Sequence, residues 1–120
     1  MIRFEDPAGG RTYKIYFSHG ECFVADLIDE WGMKFSKGVA LNSRRRYTTC
    51  TIRTEEGSRL VERISICNPV DTFCKSTGRI RALTDALTTL SLSVCGGFQS
   101  VNRKNLRRVA WMAYFEACKT

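Results

Sequence analysis

From Asn68 to Leu90 the chain carries the start signals and the apolar stripe of a helix, placed directly behind β-rich runs, and this order restricts the fold more than any other feature. Asn68 suits the N-cap, Pro69 suits the first helical position because its missing N–H has no intrahelical partner there, and Asp71 lies near exposed N–H groups. Phe73, Ser76, Ile80, Leu83, Leu87 and Leu90 follow at three- and four-residue steps, which predicts one face turned to a core. Gly78 lies off that stripe. It is either a weak point costing about 1 kcal/mol relative to Ala or the end of a short first turn, and one long helix is the favoured reading.

Ahead of the helix the periodicity is two. After an irregular start closed by Ala8-Gly9-Gly10, Tyr13, Ile15 and Phe17 alternate with Lys14 and Tyr16, which predicts a strand over 11–18. His19-Gly20 reads as a turn. Residues 22–31 are open between a strand of a hairpin and a helix with Val24, Leu27, Ile28 and Trp31 on one face, and the hairpin is preferred. Met33 to Leu41 reads as extended, with a bend at Gly38. Residues 47–54 and 59–66 form a second hairpin around Glu55-Glu56-Gly57-Ser58, with Leu60, Ile64 and Ile66 expected to face the core. Beyond the Cys95-Gly96-Gly97 break a last helix starts near Ser100 or Asn102.

The sum is an α+β fold: an antiparallel sheet of about four strands followed by two C-terminal helices packed on one face. At 120 residues, 43% of them hydrophobic, residues 1–120 are expected to form one domain. No apolar run approaches the roughly 20 residues of a membrane span, and Met1-Ile2-Arg3-Phe4-Glu5-Asp6-Pro7 lacks a signal-peptide core, so no membrane partner and a cytoplasmic location are expected.

Cys22, Cys50, Cys67, Cys74, Cys95 and Cys118 include no Cys-x-x-Cys pair, and His19 is the only histidine. In a reducing cytosol such scattered cysteines act as small apolar side chains, so no metal, cofactor or disulfide is expected. Asp26, Asp29 and Glu30 cluster without a histidine and read as solvated surface. No cysteine has an evident base partner. An enzymatic role is therefore not expected, and no catalytic residue is assigned.

Charge points elsewhere. The formal balance is +7, and residues 61–120 carry nine Lys or Arg against four Asp or Glu. Such an excess favours anionic partners. Arg44, Arg45, Arg46 and Tyr47 combine bidentate phosphate donors with a ring able to stack on a base; the alternative is a solvated loop guarding a sheet edge. In the last helix Leu106, Val109, Ala110, Ala113 and Ala117 form a small-residue face, while Trp111 and Phe115 share the other side with Lys104 and Arg108. That second face suits bases, a partner protein or a dimer contact, or else is core. Arg103, Lys104, Arg107 and Arg108 crowd the helix N-terminus against its dipole, a placement that helix stability does not explain. Arg79 flanks the core face of the earlier helix, whereas Arg81 projects outward, within reach of Asp85 or of phosphate.

The segment Cys67-x-Pro69-x-Asp71-x-Phe73-x-Lys75-x-x-Gly78-Arg79-x-x-Ala82-Leu83-x-x-Ala86-Leu87 resembles a signature that recurs near the C-terminal end of small uncharacterised bacteriophage-encoded proteins. The resemblance implies a phage setting, in the cytoplasm of an infected host cell, and brings no activity or cofactor with it. The expectation is a phage accessory protein that binds nucleic acid, or a host complex that handles nucleic acid, through its basic surfaces, with a homodimer as a further possibility. The alternative is an inhibitor or adaptor acting by protein–protein contact, for example against a host defence nuclease such as a CRISPR effector, with Trp111 and Phe115 as its anchor.

Overall fold

A computed structural model describes residues 1–67, 74–95 and 100–119. The elements run β1 (Ile2–Glu5), β2 (Thr12–Phe23), α1 (Val24–Trp31), β3 (Arg44–Thr54), β4 (Arg59–Ile66), α2 (Lys75–Cys95) and α3 (Ser100–Ala117). The strands form one antiparallel sheet in the order β1-β2-β3-β4, and α2 and α3 pack on one of its faces. The expected α+β arrangement is therefore present. The expected starting signals at Asn68, Pro69 and Asp71, the stripe residue Phe73 and the Gly96-Gly97 break lie outside the described residues.

The strands are not all those expected. The N-terminus is a strand, not an irregular start, because buried Asp6 organises a tight connection: its carboxylate accepts the Ala8 N–H at 2.9 Å and its carbonyl accepts the Gly10 N–H at 2.8 Å. His19-Gly20 does not turn the chain. β2 runs straight through it to Phe23, paired with β3 along its length. Residues 24–31 are helical rather than the second arm of a hairpin, and residues 33–41 are irregular rather than extended. α1 buries Val24 and Leu27, and its last carbonyls are closed by the N–H groups of Gly32 and Met33, with Gly32 at φ 64°. That left-handed position favours glycine.

Register decides which side chains meet the helices. Phe4 lies beside Tyr13, Ile15 beside Ile52, and Ile52 beside Val61, so these residues share one face, with Cys50 and Phe17 in phase. They pack with Ala82, Leu83, Ala86, Leu87 and Leu90 of α2 and Leu106, Ala110 and Tyr114 of α3. On β4 the expectation is reversed. Val61 is the core residue, Ile64 and Ile66 are half-buried on the opposite face, and Leu60 is exposed beside a bulge. On α2 the stripe turns as well: Ser76 and Ile80 are exposed, while Ala82 and Ala86 are buried in their place.

Gly78 explains that rotation. A Cβ at this position would collide with Thr48 Oγ1 and stand 3.0 Å from Thr48 Cβ, so α2 rests on β3 at a distance only glycine allows. Thr48 is fully buried and its hydroxyl is held 2.8 Å from His19 Nδ1, which leaves it little room to yield. Overpacking of this kind costs about 1–3 kcal/mol, against a helix-propensity gain of about 1 kcal/mol from Gly to Ala. Gly78→Ala is expected to lower the unfolding free energy in urea titrations, and Thr48→Ala in the same chain should recover part of the loss. Additive losses in that double-mutant cycle would contradict a direct contact.

Candidate nucleic-acid interface

The ladder that builds the core also defines a second face. With the odd residues of β2 and the even residues of β3 turned to the helices, the open side carries successive cross-strand rungs: Lys14 with Arg53, Tyr16 with Thr51 and Glu62, Ser18 with Thr49 and Ile64, Gly20 with Tyr47 and Ile66, and Cys22 with Arg45. Neither α2 nor α3 crosses this side, and α1 packs chiefly against β2. From Arg53 to Arg45 the trough extends about 26 Å, at roughly 3.3 Å per residue.

Cations stand at both ends, although at the second Asp26 and Glu30 lie near enough to Cys22 to help burial raise its thiol pKa, and the middle is aromatic, aliphatic and hydroxylated. At one end Arg3 and Lys14 meet Glu55 at 3.3 and 3.8 Å, and Arg53 beside them donates to the Gly57 carbonyl at 2.9 Å. At the other end Arg45 is steadied by the Ser43 hydroxyl at 3.3 Å and the Arg44 carbonyl at 3.0 Å. Between them stand Tyr16 and Tyr47, about 13 Å apart along the ladder. Tyr47 lies across Gly20, where a Cβ would come within 2.6 Å of the Tyr47 Cζ, so that glycine lets the ring lie down on the sheet. Glu62, on the rung of Tyr16, is engaged by Thr51 at 3.0 Å and Arg59 at 3.3 Å.

The basic residues picked out by sequence do not converge. Arg44 to Arg46 belong to β3 rather than to a loop, and strand alternation splits them. Arg45 and Tyr47 take the open face; Arg44 and Arg46 take the other, where Glu21 meets them at 3.2 and 4.0 Å and Arg44 lies over the Phe23 ring. Arg79 points inward: Nε donates to the Tyr114 hydroxyl at 3.4 Å, and Nη1 lies 3.5 Å from His19 Nε2. Arg81 is exposed on α2, and among the described residues no ion pair within 4 Å joins it to Asp85. Arg103, Lys104, Arg107 and Arg108 occupy the first half of α3, with Arg103 and Tyr114 separated by about 16 Å of helix. Trp111 and Phe115 stack at 5.7 Å but are not equivalent. Trp111 is half-buried against the core, whereas Phe115 is 52% exposed. The buried arc of α3 includes Tyr114, packed edge-on to Phe17 at 5.8 Å, and leaves Ala117 exposed.

Two functional groups were not anticipated. His19 is a mid-strand residue inside a hydrogen-bonded chain from Thr48 through Arg79 to Tyr114, not a turn residue. A guanidinium only donates, so His19 Nε2 accepts and Nδ1 carries the proton toward Thr48. Burial, then Arg79 and Lys75, hold its pKa below 6.5. Cys74, immediately before α2, is exposed, with Sγ 3.2 Å from Ser76 Oγ. Hydrogen bonds from the Ser76 side chain and from Thr77 bring its thiol down to about 6, whereas burial pushes Cys50 up to about 12. Cys50 fits the small-apolar expectation; Cys74 does not. Among the described residues no three His, Cys, Asp or Glu side chains are grouped to hold a metal ion, and no helix is long and apolar enough to cross a membrane.

Because the folded chain resists protonation of His19 and the unfolded chain does not, stability should fall as pH drops below about 6.5. His19→Gln is expected to flatten that decline between roughly pH 7 and 5 in paired thermal melts, and an unchanged slope would separate His19 from the effect. At neutral pH iodoacetamide should label Cys74 well before Cys50, as peptide mapping would read directly. Comparison of the chain with known proteins finds no matching family model, no matching curated protein and no matching solved structure.

Proposed function

We propose that the protein binds single-stranded nucleic acid along the open face of its sheet. The observation that carries this reading is the trough itself: Tyr16 and Tyr47 lie between basic ends formed by Lys14 with Arg53 and by Arg45, on a face that neither long helix covers. Rings set along a sheet offer stacking platforms to unpaired bases, and guanidinium groups at the ends meet the phosphates. The phage setting implied by residues 67–87 makes this an accessory protein acting on nucleic acid in an infected cell.

A second reading, contact with another protein chain, is favoured by α3, where Met112 and Phe115 stand out into solvent.

Fluorescence anisotropy with mixed-sequence single strands, DNA and RNA, across a salt series tests the first reading. If Arg45 and Arg53 each meet a phosphate, replacing both with Ser should flatten the log–log salt slope by about 1.4, at roughly 0.7 per contact on single strands. Tyr16→Ala should weaken binding by about 1–3 kcal/mol with little change in that slope, because stacking rather than charge is lost. Preference for duplex, or a loss that follows Lys104 and Arg108 substitutions instead, would move the site off the sheet.

A further inference from the structure

We propose that α3 is also a self-association surface, on which two copies pack their last helices antiparallel about a two-fold axis at Met112. This goes beyond the nucleic-acid reading and does not depend on it, since none of the residues involved lies on the open face of the sheet.

With Leu106, Ala110 and Tyr114 buried, a helical projection of about 100° per residue sets Val101, Arg108, Met112, Phe115 and Lys119 on the outward side. The three apolar members are unusually bare: Val101 is 68% exposed, Met112 64% and Phe115 52%. A shallow groove lined by Arg108, Trp111, Met112, Phe115, Glu116 and Lys119 lies at the last two of them. Its anchor is already ordered. Phe115 is stacked on Trp111, and Trp111 stands edge-on to buried Tyr114 at 5.8 Å, so docking Phe115 costs little side-chain entropy.

The pattern of charge selects a second copy as the occupant. Glu116 is the one acidic residue of α3, which otherwise carries Arg103, Lys104, Arg107 and Arg108. It stands four residues after Met112, and Arg108 stands four before it. Antiparallel pairing about Met112 therefore brings Arg108 of each copy level with the partner's Glu116, twice over, as a two-fold interface requires. The same register sets Lys119 level with the partner's Asn105, so cations do not confront cations. Among the described residues Glu116 is held in its own chain only by Lys119 at 3.3 Å, with both side chains about three-quarters exposed, and a pair so hydrated is readily exchanged. Phe115 lies on the Arg108 side of the stripe, where the partner's guanidinium can cover its ring. In this register the two helices overlap over residues 107–117, a face of roughly 16 by 10 Å, which is small beside the approximately 800 Å² per partner of a standard interface. The dimer should therefore be reversible and concentration-dependent.

Sedimentation velocity over a concentration series up to several hundred micromolar tests this, with thermal melts as the folding control for these exposed positions. The wild type should shift from monomer toward dimer, and Met112→Glu should remain monomeric. Arg108→Glu and Glu116→Arg should each weaken self-association by about tenfold or more, because like charges then face each other across the axis. Mixing these two single variants should restore association as a heterodimer, since every cross-axis pair becomes attractive again. The double variant Arg108→Glu/Glu116→Arg should recover the homodimer. A wild type that stays monomeric throughout, or charge variants that associate as the wild type does and gain nothing on mixing, would overturn the proposal.

Discussion

Everything above the sheet depends on how closely α2 is allowed to approach β3. At Gly78 the helix backbone comes down onto Thr48, and the next residue, Arg79, is thereby delivered to His19 on one side and Tyr114 on the other. Four elements meet in this chain: β3 through Thr48, β2 through His19, α2 through Arg79 and α3 through Tyr114. An arginine kept half-buried in this way is stabilised only while its donors remain occupied. The position of α3 thus follows from a contact made between α2 and the sheet, and so does the exposure of the opposite face, because both long helices are drawn to the same side.

The sheet was legible in sequence wherever one face was plainly more apolar than the other. Tyr13, Ile15 and Phe17 identified their own face, and the hairpin around residues 55–58 stands where its turn residues placed it. β4 misled for a physical reason. Its alternation places Ile64 and Ile66 in one set and Val61, Arg63 and Ser65 in the other, with Leu60 displaced at the bulge, and the more apolar set is the one turned away from the helices. The core side is completed by α2, whose Thr89 accepts from Arg63 at 3.1 Å, so a polar strand face is satisfied by its cover. Nothing in the sequence near Gly78 announces Thr48, thirty residues earlier, and no local pattern reveals that His19 sits within reach of Arg79. α1 is legible as an apolar face of Val24, Leu27, Ile28 and Trp31 at helical spacing. The hairpin reading fails because the strand before it does not stop at His19 but stays paired with β3 as far as Phe23.

The candidate site was legible as a set of residue types rather than as a surface. Arg45 and Tyr47 stand on the open face and Arg44 and Arg46 behind it, a division that strand alternation imposes once β3 is seen to begin at Arg44. The residues that complete the trough, Tyr16, Lys14 and Arg53, come from strands whose pairing partners only register reveals. On α3 the aromatic face divides unevenly, with Trp111 drawn toward the core through Tyr114 and Phe115 left outside.

The excursion between β2 and β3 has a different bearing. Phe23 and Arg44 are direct partners in the ladder, and the Val24 N–H to Ser43 carbonyl bond of 2.9 Å closes the mouth immediately beyond them. Whatever lies between leaves and rejoins the sheet at one point. Val24 and Leu27 are buried there, yet neither belongs to the cluster that unites the sheet with α2 and α3. The segment from 24 to 43 is therefore a cassette with its own small interior, fixed to the main body at a closed hairpin end, and its length and content are free to diverge while the rest of the molecule keeps its register.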